Sequence, residues 1–201
     1  MPLDSGLMLA VERNNILRDV LTRLDRFRVG ERAHAERVAV YAVATGQRLG
    51  VLDEELVTLM QAATLHDIGK LAIESSLFTK PVFDKEDHFA AQLHTILFVK
   101  VMPVPEWLET CGPLIRHHHE RWDGGGYPDG LQGAEIPLGA RIIGVAEAFD
   151  TLHSGAGWSP PIAEHAVLDQ IMAESGTAFD PNVLSAFREI QPLIQPLLPE
   201  T

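Results

Sequence analysis

Residues 53–70 read DEELVTLMQAATLHDIGK, an amphipathic segment that ends in a His-Asp pair and the motif IGK. Its apolar residues follow helical spacing, which predicts an α-helix with one buried face; they are Leu56, Val57, Leu59, Met60 and Ala63. Asp53 stands where a side chain can cap the first turn. The helix therefore brings His66 and Asp67 to the end of a strongly apolar face.

Helical spacing continues on both sides of this segment. It predicts helices at about 12–28, 31–49, 84–101, 105–119, 138–153, 161–175 and 180–190, and no stretch keeps the period of a β-strand. We predict an all-α bundle of seven or eight helices. The first helix is expected to form an N-terminal appendage at residues 1–30, the core domain to occupy residues 31–190, and a Pro-rich tail to follow at residues 191–201.

The composition is that of a globular chain. It has 201 residues, 46% of them hydrophobic, and Cys111 is the single cysteine, which excludes an internal disulfide and a Cys-rich zinc site. The net charge of −12 disfavours binding to nucleic-acid polymers and to anionic membranes. No uncharged apolar run approaches the roughly 18–20 residues of a membrane span, and the first residues lack the basic start of a signal peptide. We expect a soluble, cytoplasmic protein.

Histidines and carboxylates are grouped at the buried faces and ends of these helices. The positions are His34, His66, Asp67, the triplet His117, His118 and His119 with Glu120, and the pair Glu147 and Asp150. Each alone is as well explained by a hydrogen-bonded core residue or a solvated helix end. Together they bring imidazoles and carboxylates from four or five helices to one region. That ligand set, without thiolate, suits Mn, Fe, Zn or Ni, so the residues predict a metal site with more than one ion.

Residues 123–137, DGGGYPDGLQGAEIP, contain five glycines and two prolines and interrupt the helical pattern. So much glycine costs backbone entropy, which a functional loop would justify. A long connector between two helices explains the stretch equally well on this evidence.

From residue 33 to residue 190 these pieces follow the order of a known family. They are HAERV at 34–38, AATLHDIGK at 62–70, KP at 80–81, His94, HHERWDGGGYP at 118–128, IPL at 136–138, ARI at 140–142 and VAEAFD at 145–150. The chain resembles the HD-GYP family of bacterial HD-domain phosphohydrolases. The resemblance implies an HD-domain helical bundle with a Gly-rich GYP loop. It also implies a metal-dependent phosphodiesterase that hydrolyses cyclic di-GMP to linear pGpG, GMP or both in second-messenger signalling.

The resemblance also implies a binuclear centre with two divalent ions, most plausibly Fe or Mn. One ion would be held by His34, His66 and Glu147, the other by His94, His118 and His119, with Asp67 bridging both. Asp67, Lys70 and Asp150 are the predicted catalytic residues, with Asp150 as a proton shuttle. The alternative for Asp150 is a partner that orients a histidine. Consecutive helical residues point about 100° apart, so His117 is not expected to join its two neighbours.

For the substrate, cyclic di-GMP or a related dinucleotide, we predict contacts from Lys70, Arg121, Gly126 and Tyr127. Lys70 would reach a phosphate oxygen as a point charge. Tyr127 and Trp122 flank the GYP loop and could stack on guanine, although a structural role explains them equally well. The loop is also where a protein partner would bind.

The sequence departs from the family pattern in three respects. Glu147 replaces the usual Asp, which moves the carboxylate outward by one methylene. Gly30 stands where some members carry a Glu that supports a third ion, so we expect two. Ala156 and Ser159 replace two arginines, the first of which grips the substrate phosphate. Two alternatives therefore stay open: a metal phosphohydrolase for another nucleotide, and a low-activity module that binds a cyclic dinucleotide or a protein.

Overall fold

A computed structural model describes residues 5–80, 82–101, 106–155 and 160–194. Within these ranges the chain is helical and forms no β-strand, apart from one isolated bridge between Ser175 and Phe179. The α-helices are α1 Ser5–Phe27, α2 Glu31–Arg48, α3 Asp53–Leu65, α4 Lys85–Gln92, α5 His94–Val101, α6 Glu106–His117, α7 Leu138–Ser154, α8 Glu164–Ala173 and α9 Pro181–Ile194. The predicted all-α fold is confirmed. None of the described helices combines the length and apolarity that crossing a bilayer requires.

The described part of the chain has nine α-helices, one more than the predicted maximum, because the segment at 84–101 is two helices. The first ends at Leu93, whose N–H donates to the carbonyl of Ala90 at 3.2 Å, and the second begins at His94. The break separates α4, in which only Asp87 is buried, from α5, which buries His94, Thr95 and Phe98. The break places His94 at the first position of α5.

The centre of the bundle is α2, which packs against α1, α3, α7 and α9. Three fully buried aromatic rings join the helices there: Tyr41 lies 5.3 Å from Phe149 and 5.5 Å from Phe187, measured between ring centroids. Burying an aromatic side chain of this kind stabilises the fold by about 1.5–3 kcal/mol. His34 lies on the same helix, two turns before Tyr41, so the aromatic core fixes its position.

The first helix contributes to the same core. Val20 and Leu24 are buried in one cluster with residues of α2, α3 and α7, and Phe27 contacts the ring of Phe78 edge to face at 5.5 Å. The boundary expected at residue 30 therefore does not coincide with a gap in the core. At the other end α9 extends to Ile194 with Gln191 buried, and residues 195–201 of the expected tail lie outside the described residues.

A close backbone approach brings the turn after α3 against the start of α5. A Cβ built on Gly69 would lie 1.9 Å from the carbonyl oxygen of His94, so only glycine fits there. Residues Ile68–Ala72 form a short 3-10 helix around this glycine. The contact sets the His66-Asp67 pair beside His94, although 27 residues separate Asp67 from His94 in the sequence.

Candidate metal centre and active site

The seven predicted metal ligands converge at one end of the bundle. They come from α2, the end of α3, the start of α5, the end of α6 and α7. Their candidate ligand atoms form two groups, and in each group the atoms lie within 4.8 Å of one another. The first group is His34, His66, Asp67 and Glu147, and the second is His94, His118 and His119. This is the division that the resemblance implies.

Three of the histidines are oriented by the same local contact. The Nδ1 atoms of His66, His94 and His118 lie 2.7, 2.6 and 2.6 Å from the carbonyl oxygen three residues earlier. A carbonyl oxygen can only accept, so each Nδ1 carries the hydrogen. In the neutral ring Nε2 is then an unprotonated acceptor, and it is this atom that faces the centre.

His34 is oriented by Asp150. Its Nδ1 lies 2.7 Å from Asp150 Oδ2, and Arg37 donates from Nε to Oδ1 at 2.6 Å and from its terminal nitrogen to Oδ2 at 2.9 Å. All three side chains are buried. Burial would raise the pKa of Asp150, but the hydrogen bonds from His34 and Arg37 outweigh it and lower the pKa.

This arrangement favours the alternative predicted for Asp150 over the role of proton shuttle. Both carboxylate oxygens are engaged, Asp150 is not among the residues that line the cavities at the centre, and its lowered pKa keeps it ionised. A proton shuttle needs contact with the reacting groups and a pKa near the working pH. The contacts are those of the alternative, a carboxylate that holds a ligand imidazole in one orientation.

Asp67 lies between the two groups. Its Oδ2 is 3.2 Å from His66 Nε2 and 3.8 Å from His34 Nε2, while its Oδ1 is 3.7 Å from His94 Nε2. Both His66 Nε2 and Asp67 Oδ1 are buried and have no hydrogen-bond partner. Leaving such atoms unpaired is costly in an apolar interior, so their arrangement fits a cation on each side of Asp67.

The second group also contains atoms whose arrangement favours a bound cation. His94 Nε2 lies 3.3 Å from His118 Nε2, yet both rings have their Nδ1 hydrogen committed to a carbonyl. Two acceptor lone pairs therefore face each other, an arrangement that a bound cation stabilises. On these observations the residues fit two metal ions, one in each group.

The two groups differ in how burial affects their imidazoles. Burial would lower the pKa of His66, but the carboxylate of Asp67 outweighs it and raises the pKa to about 9. Burial lowers the pKa of His94 to about 4, that of His118 to about 3, and that of His119 well below its ordinary value. The second group is thus held neutral, the form in which imidazole binds a metal.

Glu147 reaches further than the sequence suggests. Besides belonging to the first group, its carboxylate lies 3.8 Å from His118 Nε2 and 3.6 Å from His119 Nε2. The side chain is partly exposed, at 14%. The longer Glu side chain thus brings its carboxylate between the two groups.

Lys70 is bound to the central carboxylate. Its Nζ donates to Asp67 Oδ2 at 2.6 Å and to Glu31 Oε2 at 3.4 Å. Burial would lower the pKa of Lys70, but Asp67 and Glu31 outweigh it and raise the pKa. Lys70 therefore brings a positive charge beside the centre, in the place expected for a phosphate contact.

The GYP loop lies over the second group and is held by backbone contacts. A Cβ on Gly126 would lie 2.3 Å from the backbone nitrogen of Arg121, so the loop can pack this closely only with glycine. Glu120 Oε1 accepts from the backbone N–H groups of Asp129 and Gly130 at 2.8 and 3.1 Å. These contacts make the stretch an ordered loop attached to the site rather than a loose connector.

The aromatic and basic residues of the loop already have protein partners. The Tyr127 ring stacks on His119 with centroids 4.9 Å apart, and burial raises the pKa of its hydroxyl. The guanidinium of Arg141 lies 5.6 Å from the centroid of the Trp122 ring. Arg121 donates to both oxygens of Asp123, at 3.1 and 2.8 Å. His119 thus covers one face of the Tyr127 ring, and Arg121 would have to share its carboxylate partner.

Two cavities meet at His119, Tyr127 and Glu147. One, of about 450 Å³, is lined by aromatic and apolar groups that include Trp122 and Phe179. The other, of about 240 Å³, is more polar and contains the cations Arg28 and Lys70 beside Asp67. The candidate centre therefore opens on one side to a surface suited to a nucleobase and on the other to positive charge.

Three residues at the site escaped the sequence analysis: Arg37, Glu31 and Arg28. The first two had a signal, since they stand three residues after and three before His34 and so share its helical face. Arg28 lies in the turn before α2, where no periodicity applies. Ala156 and Ser159, the positions of the two missing arginines, lie outside the described residues.

Comparison with known proteins gives the following matches. A family profile described as HD domain matches residues 17–183. The chain is 36% identical over 176 residues to the cyclic di-GMP phosphodiesterase response regulator RpfG of Xanthomonas campestris pv. campestris, a match that covers 84% of this chain and 47% of that protein. It is 31% identical over 160 residues to 3'3'-cGAMP-specific phosphodiesterase 2 of Vibrio cholerae, covering 78% of this chain and 31% of the relative. The chain thus spans less than half the length of these two relatives.

Two solved structures share the fold. The cyclic GMP-AMP specific phosphodiesterase V-cGAP3 of V. cholerae aligns with a TM-score of 0.68 at 20% identity, over 90% of this chain and 49% of that chain. Bd1817, an HDG"Y"P protein from Bdellovibrio bacteriovorus, aligns with a TM-score of 0.63 at 21% identity, over 79% of this chain and 51% of that chain. At these identities the likeness concerns the fold, and it agrees with the helical architecture expected from the motifs.

Proposed function

Because this chain belongs to the HD-domain family, we propose that it is a metal-dependent phosphodiesterase that hydrolyses cyclic dinucleotides, cyclic di-GMP in the first place. The relatives named for cyclic di-GMP and cGAMP hydrolysis support the substrate class. The metals proposed are two divalent ions, Fe or Mn, since carboxylate and imidazole ligands without thiolate suit both. The proposed ligands are the seven residues of the two groups.

The observation that carries the proposal is the position of Asp67. One of its oxygens faces His34 and His66, and the other faces His94, with buried, unpartnered atoms on both sides. A carboxylate that serves two imidazole groups at once is the arrangement that a binuclear hydrolytic centre requires. A single structural ion would need only one of the two groups.

The metal ions, when bound, would lower the pKa of a water molecule and stabilise negative charge at phosphorus. Lys70 would also stabilise negative charge at phosphorus, because it is a fixed positive charge beside Asp67. Asp150 keeps the His34 ring in one orientation, which preserves the ligand geometry. His119 is braced by the stacked Tyr127 ring, so the GYP loop supports the second group as well as bordering both cavities.

The shape of the site supports a ligand larger than a mononucleotide. The larger cavity, with its aromatic wall, suits a base, and the smaller one, with its cations, suits a phosphate. A cyclic dinucleotide has two bases and two phosphodiesters and can use both cavities while one phosphate lies at the centre. We propose 3'3'-cGAMP as the second candidate substrate, because a relative of comparable similarity is named for it.

The test is hydrolysis by protein purified with Fe or Mn, followed by chromatography of the nucleotides. Cyclic di-GMP and 3'3'-cGAMP are compared in parallel, with cyclic mononucleotides as controls for substrate class. We expect linear pGpG or GMP from cyclic di-GMP. Binding of a cyclic dinucleotide without product from metal-loaded protein would favour the binding-module alternative. Cleavage of cyclic mononucleotides alone would contradict the proposed substrate class.

A further inference from the structure

This chain has Ala156 and Ser159 where the family has two arginines. The family pattern therefore does not say which residue binds the second phosphate of the substrate. Four other cations of the sequence are natural replacements, and each is paired with a carboxylate away from the smaller cavity: Lys80 with Asp87, Arg116 with Asp129, Arg121 with Asp123 and Arg141 with Asp180. Arg121 and Arg141 line the larger, aromatic cavity. The smaller cavity receives its guanidinium from Arg28.

Arg28 is held at the site by the turn between α1 and α2. Its N–H donates to the carbonyl of Leu24 at 2.9 Å, and its own carbonyl accepts from Glu31 at 3.2 Å. Gly30 allows the turn with a φ of 96°, a conformation that favours glycine. The edge-to-face contact of Phe27 with Phe78 fixes the end of α1 beside it. The backbone that carries Arg28 is therefore well defined.

The side chain of Arg28 belongs to a row of alternating charges that ends at the metal centre. Its guanidinium lies 3.3 Å from Glu31 Oε1, Glu31 Oε2 lies 3.4 Å from Lys70 Nζ, and Lys70 Nζ lies 2.6 Å from Asp67 Oδ2. Glu31 is buried and shared by two cations. A phosphate can therefore accept hydrogen bonds from Arg28 while Lys70 still neutralises Glu31.

We propose that Arg28 binds the phosphate of the cyclic dinucleotide that is not being cleaved, in place of the arginine missing at Ala156. The inference rests on the proposed function. The Arg28 side chain is 26% exposed, and Arg28 lines the cavity through which the ligand would enter. Its planar, bidentate donor pattern matches a phosphodiester, which the point charge of Lys70 does not.

The test compares Arg28→Met, which keeps most of the apolar stem, with Arg28→Lys and with the control Arg32→Met. Arg32 is a surface arginine, 48% exposed and paired with Glu36, and it lines neither cavity. Three quantities are measured on metal-loaded protein: KM and kcat for cyclic di-GMP, turnover of bis(p-nitrophenyl) phosphate, which has one phosphate only, and the Kd of a bis-phosphorothioate analogue of cyclic di-GMP by calorimetry. Thermal melts verify that each variant folds.

We expect Arg28→Met to raise Kd and KM at least about tenfold with little change in kcat, and to leave bis(p-nitrophenyl) phosphate turnover unchanged. Arg28→Lys should restore part of the affinity, and Arg32→Met should match the wild type. Equal Kd values for Arg28→Met and Arg32→Met would overturn the inference. So would a parallel loss of bis(p-nitrophenyl) phosphate turnover, because Arg28 would then support the centre itself.

Failure of the proposed function gives a different result. Wild-type protein that neither binds nor cleaves any cyclic dinucleotide would contradict the function without reference to Arg28. The same variants are then titrated with inorganic pyrophosphate. A weaker Kd for Arg28→Met alone would keep Arg28 as an anion-binding residue of this cavity, and equal affinities would overturn that role.

Discussion

The two halves of the candidate metal centre use the same side chain in different electrostatic surroundings. In the half with His34 and His66, the carboxylate of Asp67 raises the pKa of His66 to about 9. In the half with His94 and His118, burial lowers the two pKa values to about 4 and about 3. At neutral pH the buried His66 ring is thus protonated on both nitrogens, whereas the equally buried rings of His94 and His118 are neutral.

The difference shows that burial alone does not decide the state of a ligand histidine; the nearest carboxylate does. A metal bound in the first half would displace the proton on Nε2 of His66, whereas in the second half the Nε2 atoms of His94 and His118 carry no proton. The second half is therefore organised for a metal before one arrives. The first half is stabilised without a metal by the pairs that Asp67 makes with Lys70 and His66.

Removal of the residue shared by both halves should have the largest effect. Asp67→Ala deletes the carboxylate that faces both groups, so we expect loss of most bound metal and a fall in hydrolysis greater than the roughly 100-fold typical of outer partners. Metal content and turnover are measured on the same preparation. Asp169→Ala, an exposed position on α8, is the control and should resemble the wild type. Retention of both ions by Asp67→Ala would contradict the bridging role.

A smaller effect, confined to the first half, is expected from Asp150→Asn. The change leaves His34 without its charged partner, and the loss of such a partner costs about 10–100-fold in metal affinity. Competition with a chelator measures the affinity of the two ions separately, and we expect one to weaken. Asp180→Asn is the matched control, since it removes a buried carboxylate paired with Arg141 but not with a predicted ligand. Equal weakening in both variants would mean that the effect is only structural.

The pH dependence of stability in metal-free protein tests the difference between the raised pKa of His66 and the lowered pKa values of His94 and His118. His94 and His118 have pKa values below the ordinary 6.5, so from pH 6.5 down to about 4 the unfolded chain binds more protons and stability falls as the pH is lowered. His66, with a pKa of about 9, contributes stability that is present below pH 6.5 and is lost as the pH rises through 9.

We therefore expect the melting temperature in chelator to be highest near pH 6.5, midway between these ranges. Metal-loaded protein should lose the alkaline decline that belongs to His66, because the metal takes the place of its proton. Thermal melts from pH 4 to pH 10 measure both curves. An alkaline decline of equal size in loaded protein and in chelator would contradict the assignment to His66.

The smallest effect is expected from His117→Ala. The Nδ1 atom of His117 lies 3.6 Å from Glu120 and from Asp129, outside both groups of predicted ligands. Turnover should stay within about twofold, and stability should change by about 1 kcal/mol or less. His118→Ala, which removes a predicted ligand, is measured in parallel. The comparison shows which of the two neighbouring histidines is needed for metal binding and turnover. Equal loss of metal in both variants would mean that the assignment of the ligand pair is wrong.

The sequence predicted the helical class and the set of residues that converge, because apolar spacing and motif order are local properties. It did not predict the break at Leu93, because α4 buries only Asp87 and so has no buried apolar face whose spacing would end there. Nor did it predict the pairing of Asp150 with Arg37, which joins residues 113 positions apart. The sequence did not predict the position of Arg28 either. Its place at the smaller cavity depends on the fold of the turn before α2, and no spacing rule describes that turn.

Metal stoichiometry is the most direct test of a centre with two unlike halves. Protein expressed in medium supplemented with Fe and Mn is analysed by elemental mass spectrometry against the concentration of folded chain. We expect about two ions per chain, one for each group of ligands. A value near zero in folded protein would contradict the metal centre. A value near three would contradict the two-ion account and the expectation drawn from Gly30.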